Sequence, residues 1–153
     1  MSDSRPPSLP PAEDCVEMIP DPGPGFHVGH LEFVDLRCDP GTVGFASGQQ
    51  VTPGRVAGWA SLREVGALDP VLDLLVLADT LPPVTFDLKV PGWVPTLELT
   101  VLVRAVPAPG AFVLEHRAHL LADGWLDETC DVWDSRGRLV CQARQLAGYR
   151  PPS

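Results

Sequence analysis

Apolar and polar positions along this chain change their spacing at a few well-marked places. Residues 1–25 are dense in proline with little apolar periodicity, which predicts a flexible or extended arm. Between His30 and Asp39 the run LEFVDLR predicts a first strand, turned by Asp39-Pro40-Gly41. RVAGWASLRE, Arg55 to Glu64, predicts a second, made ambiguous by Gly58. The spacing then becomes helical. Asp69 is placed to cap free amides and Pro70 suits the first helical position. Val71, Leu72, Leu74, Leu75, Val76, Leu77, Ala78 and Leu81 occupy every face, so this helix is expected to be long and buried all round. Pro82-Pro83 is expected to stop it.

Four strands are predicted after the helix: Thr96 to Val106, Ala111 to Leu121, Trp125 to Trp133 and Arg138 to Ala147. Their connections, Pro107 to Gly110, Asp123-Gly124 and Asp134 to Gly137, carry good turn chemistry. Alternation predicts one face for Leu97, Leu99, Val101 and Val103, and one for Leu139, Cys141, Ala143 and Gln145. Short loops between consecutive strands imply an antiparallel meander. A long apolar helix and a large antiparallel sheet bury each other best when the sheet curls round the helix. The expected fold is therefore α+β, a single hot-dog domain over residues 26–150 in which a curled antiparallel sheet wraps a long central helix. A single such unit keeps an edge strand and one open side of its helix, so a homodimer or a partner hot-dog chain is expected.

Composition adjusts this picture in few places. The 153 residues suffice for one domain, and a hydrophobic content of 44% suits a globular one. No apolar run is long enough for a membrane helix, and MSDSRPPSLPPAEDC lacks a signal-peptide pattern, so a cytoplasmic protein without membrane association is expected. The net charge of -9 is concentrated at the start: residues 1–40 hold eight acids against two arginines. The remainder does not exclude a small anionic ligand, whereas the lack of a basic stripe disfavours nucleic acid. Cys15, Cys38, Cys130 and Cys141 form no CxxC pair, which predicts buried free thiols and no metal site.

Asp79 is the anomaly of the helix. Asp73 sits in the first turn, where the dipole favours a negative charge, whereas Asp79 sits in the last, where it does not. It either reaches solvent at a frayed end or is held at an interface to polarise water. Gln145 continues the apolar face of Leu139, Cys141 and Ala143. It is either a buried amide in need of a partner such as Asp79 or the exposed end of its strand. Thr96 opens a strand after Pro95, where threonine suits the backbone and could also supply a hydroxyl partner. His27, His30, His116 and His119 are read as structural or surface residues. There is no nucleophile elbow around Ser47 and no phosphate-binding glycine loop.

With LVLADTLPP, VPTLELTVLVRAVP and DVWDSRGRLVCQARQLAGYR in place, the chain resembles the C-terminal hot-dog half of the type II, TesB-like acyl-CoA thioesterases. SLPPAEDCVEM is similar to the linker joining the two halves in that family, and the likeness spans roughly residues 10–150. The resemblance implies thioester hydrolysis without an acyl-enzyme and without a metal or cofactor, in lipid metabolism. It implies that Asp79 polarises water, with Thr96 and Gln145 fixing its orientation. Arg104, Arg136, Arg138, Arg144 and Arg150 become candidates to meet the phosphates of a coenzyme A thioester. Trp93, Phe112 and Trp125 become candidates to line an acyl tunnel. Family members commonly carry both halves in one chain, so a second copy or a partner chain would supply the other. Some relatives also place a histidine shortly after the strand-opening threonine, where this chain reads Leu97-Glu98-Leu99. The alternative is a non-catalytic hot-dog module that binds an acyl group or a partner chain. A hot-dog dehydratase ranks last, because Leu74 to Leu81 holds no histidine.

Overall fold

Among the described residues, seven strands and one α-helix succeed one another as β1 (Val16–Met18), β2 (Val34–Cys38), β3 (Arg55–Leu62), α1 (Pro70–Leu77), β4 (Thr96–Val103), β5 (Phe112–Ala122), β6 (Trp125–Trp133) and β7 (Leu139–Gly148). The structure is a computed structural model that describes residues 5–25, 27–47, 54–63, 69–86, 88, 90 and 94–149. All seven strands join one antiparallel sheet in the order β1-β2-β3-β5-β6-β7-β4. β5, β6 and β7 form the expected meander. The tight β5–β6 turn uses positive φ at both Asp123 (52°) and Gly124 (83°), the backbone twist that suits a two-residue hairpin.

β4 departs from the meander. It pairs with β7 rather than with the next strand, β5. The residues after it must therefore cross the ends of β7 and β6, and backbone groups hold them there. Arg104 N–H donates to Val140 O at 2.8 Å, and Ala108 N–H donates to the Asp134 carboxylate at 3.0 Å. Short loop length alone could not distinguish this crossing from a hairpin.

Gly58, which blurred the prediction of β3, is explained by its neighbour across the sheet. A Cβ on Gly58 would meet Arg37 O at 2.5 Å and the Cys38 Cα at 3.0 Å, so the two backbones approach where a side chain cannot fit. Within the stretch expected to be an arm, Val16–Met18 forms the edge strand β1. Ahead of it, Trp59 Nε1–H donates to Pro10 O at 2.9 Å on the sheet's outer face.

The helix differs most from expectation. Its N-terminus forms as read, with the Asp69 carboxylate accepting from Val71 N–H at 2.8 Å and Pro70 opening the helix. It is only eight residues long, so the long central helix is corrected to a short one. The last turn tightens before the prolines are reached: Asp79 N–H bonds Val76 O and Thr80 N–H bonds Leu77 O, three residues back rather than four. It is not buried all round either. Leu74 and Leu77 pack into the core, while Leu72 (46% exposed) and Leu75 (41%) face away from it. The core lies between this inner helix face and the concave rows of the sheet, including Leu36, Val56, Leu114, Leu126, Val132 and Val140. The four cysteines are free and buried.

Candidate functional site

The inward face of the sheet runs in rows set by strand register. One row carries Val56, His116, Cys130, Ala143 and Val101; the next carries Ala118, Glu128, Gln145 and Leu99. The alternation expected for β7 is observed, since Cys141, Ala143 and Gln145 are all buried and Ala147 continues them. Gln145 is thus a buried amide, not an exposed strand end. Its Nε2–H donates to the Thr96 hydroxyl, 49 residues away in the chain.

That bond depends on an irregularity in β4. Thr96 pairs with Ala147 and Glu98 with Leu146, so Leu97 is an extra residue in the strand. The bulge turns Thr96 inward on the face of Leu99 and Val101 and turns Leu97 out, where it is 59% exposed. Regular alternation had predicted the reverse for Leu97. A residue slip of this kind leaves no mark in the hydrophobic pattern.

Asp79 lies just past the helix, beyond the capping residue Ala78. Two histidines flank it by binding carbonyls on either side: His116 Nε2 reaches Ala78 O at 3.4 Å and His30 Nε2 reaches Thr80 O at 3.1 Å. Carbonyls only accept, so both rings carry their proton on Nε2. Burial holds His116 down to about 4, against the opposing Ala78 bond, so it is neutral at pH 7. Asp79 is exposed at its rim, yet desolvation by the protein packed against it raises its carboxyl above the usual range, with the charge of His30 opposing. This is the environment of a carboxylate that accepts a proton more readily than a surface aspartate does.

Glu128 was not among the sequence-derived candidates. It lies on β6 directly across from Gln145 and is only 3% exposed. Burial, reinforced by the Asp79 charge and opposed by a hydrogen bond from the Val84 amide, pushes it up to about 7. Its signal was present in the sequence: Leu126, Glu128, Cys130 and Val132 alternate inward, so the glutamate interrupts an apolar face. His116 interrupts the run Phe112, Leu114 and Ala118 in the same way, whereas His30 offered no such signal, because the carbonyl it binds comes from a distant part of the chain. The structure therefore joins Gln145 to Thr96 by a direct bond, and joins Asp79 to Glu128 through charge. Among the described residues no hydrogen bond links Asp79 to the Thr96–Gln145 pair.

The basic candidates lie elsewhere. Arg104 Nε–H donates to the Gln142 side chain at 2.6 Å, and Gln142, three residues from Gln145 on β7, faces the opposite side of the sheet. Arg144 pairs with Asp127 on that outer side at 2.6 Å. Arg138 is bound to Asp134 at 2.6 Å in the β6–β7 turn and Arg136 is exposed beside it. From Arg138 to Gln145 is roughly 23 Å along a strand. Phe112 is in the core and Trp125 is exposed at 47%. Trp93 and Arg150 lie outside the described residues.

Residues 12–149 match the family model of the acyl-CoA thioesterase C-terminal domain. An uncharacterized protein of Mycobacterium tuberculosis is 34% identical over 140 residues, which cover 85% of this chain and 47% of that protein. A proposed thioesterase II from Thermobifida fusca superposes with a TM-score of 0.78 at 38% identity, over 97% of this chain and 55% of that one. A hot-dog protein of unknown function from Alicyclobacillus acidocaldarius gives 0.81 at 22% identity, over 100% and 57% of the two chains. The chain spans about half the length of the relatives it matches.

Proposed function

Because the chain belongs to the acyl-CoA thioesterase C-terminal domain family, the TesB-like hot-dog group, we propose that it hydrolyses an acyl-CoA or another acyl thioester. Asp79 takes a proton from water while the water oxygen bonds to the thioester carbonyl carbon, whose π electrons move onto oxygen. Collapse of that intermediate breaks the C–S bond, the electron pair leaves on sulfur, and the proton held by Asp79 returns to the thiolate. The products are a carboxylic acid and a thiol, with no acyl-enzyme. Thr96 and Gln145 orient the water. The observation that carries this reading is the Gln145–Thr96 hydrogen bond, which a bulge and a buried amide are arranged to make.

The test is thiol release from a panel of acyl-CoAs by the purified protein. Asp79→Asn is expected to lower kcat by at least about 100-fold on the best substrate. Full activity in that variant would sink the mechanism. The other half of the assembly, in this proposal, is a second copy, which meets the exposed apolar residues of edge strand β4. A second reading is a non-catalytic module that binds an acyl group or a partner hot-dog chain, favoured by the engagement of Arg104, Arg138 and Arg144 with Gln142, Asp134 and Asp127 away from Gln145. Acyl-CoA binding without turnover would support it.

A further inference from the structure

The hydrolytic reading employs Asp79, Thr96 and Gln145 and leaves Glu128 without a task. A carboxyl on the inward face of a sheet, among Leu126, Cys130 and Val132, is costly to bury without full hydrogen bonding. Only part of that demand is met. The Val84 amide donates to the carboxyl, whereas Oε2 is buried with no hydrogen-bond partner among the described residues. Along its row Glu128 stands between Ala118 of β5 and Gln145 of β7. Gln145 has committed Nε2 to Thr96, so Oε1 is the acceptor of its amide, on the residue paired directly across from Glu128.

We propose that Glu128 is a positioning residue of the site: it carries a proton in the working state and directs it to Gln145 Oε1, which holds the amide against Thr96. This rests on the hydrolase reading above. A carboxyl can accept from the Val84 amide on one oxygen and donate to an amide oxygen from the other, and it donates only while protonated. The groups facing it favour that state. Asp79, beyond α1, presents a negative charge; Cys130 on the same strand is a thiol held well above its usual range by burial; His116 on β5 is neutral at pH 7. His30 acts on Asp79 rather than on Glu128. With burial as the largest cause, Glu128 ionises at about 7. Ionisation would remove the donor to Gln145 and set a second negative charge beside Asp79.

The experiment uses the full chain as wild type, Glu128→Gln and Glu128→Ala. It measures kcat/KM on the best acyl-CoA, and urea unfolding, from about pH 5 to about pH 9. In the wild type kcat/KM is expected to fall about tenfold across the Glu128 ionisation and then level off. Glu128→Ala is expected to lower kcat about tenfold at all pH values with little change in KM. Glu128→Gln, a permanent donor, recovers most of that loss and removes the decline. Its stability advantage over the wild type should also grow as pH rises toward about 7 and level off above it, because the wild type must ionise a buried group. The proposal is overturned if Glu128→Gln keeps the wild-type decline, if Ala and Gln are equally impaired, or if the two stability curves run parallel. If the wild type hydrolyses no acyl-CoA, the unfolding arm decides. A growing advantage then supports a proton held on Glu128 while the hydrolase reading alone falls, and parallel curves overturn both.

Discussion

Burial pulls His116 and Glu128 in opposite senses on adjacent rows of one sheet face. His116 drops from 6.5 to about 4 on folding, so the unfolded chain binds more protons between those values and stability rises with pH there. Glu128 climbs from 4.5 to about 7, so the folded chain binds more protons in that window and stability falls with pH. Each effect amounts to about 3 kcal/mol on the usual conversion, and over their shared range they nearly cancel. Replacing His116 with glutamine removes the rising contribution alone. The urea midpoint of that variant is expected to decline as pH climbs from about 4.5 to about 7, where the wild type stays nearly level. A wild-type midpoint that declines as steeply as the variant's would show that His116 is not a buried neutral ring. At this scale the sequence was informative wherever a charge or amide interrupted an apolar pattern. Asp79 and Gln145 stood out that way and Glu128 could have. Thr96 needed the family resemblance, because its bond to Gln145 depends on a bulge that alternation conceals.

The elements were legible in kind and less so in arrangement. Every predicted strand is present, within a few residues of its expected bounds. The helix is shorter because its final turn tightens to bonds three residues back, while Leu74 and Leu77 still pack into the core. The placement of β4 beside β7 could not be read from turn residues, since the crossing is held by groups distant in sequence, the Val140 carbonyl and the Asp134 carboxylate among them. Asp134 is buried and accepts from the Ala108, Arg136 and Arg138 backbone amides and from the Arg138 guanidinium. Burial alone would raise it, but these bonds prevail and hold it at about 2, down from 3.8. A depressed carboxylate contributes stability that is complete above its unfolded value and is lost as pH falls through its folded one. Asp134→Asn is therefore expected to cost about 2 kcal/mol near neutrality, with the deficit shrinking below about pH 3. Denaturant titrations at both pH values would check this, and an equal deficit at each would contradict it.

At the level of the whole molecule, one long edge is left open. β1 closes one end of the sheet with three residues, while β4 ends the other with eight, and Leu97, Leu102 and Val103 are exposed along it. Such an edge invites pairing with another chain. Light scattering is expected to return twice the 16.4 kDa mass of one chain, and Leu102→Lys to shift the population toward monomer. A monomeric wild type would argue against self-pairing. No helix among the described residues is long and apolar enough to cross a membrane.

The crossing of β4 also imposes an order of events. β4 leads the three strands of the meander in sequence, yet among the described residues its one partner in the sheet is β7, the last of the seven described strands. While the polypeptide emerges, Thr96 must wait without a partner until the final strand is complete. Closing a loop of that length is a late and slow step compared with zipping adjacent hairpins. The Gln145–Thr96 bond is thus among the last contacts to form, and partly folded chains would lack the site altogether.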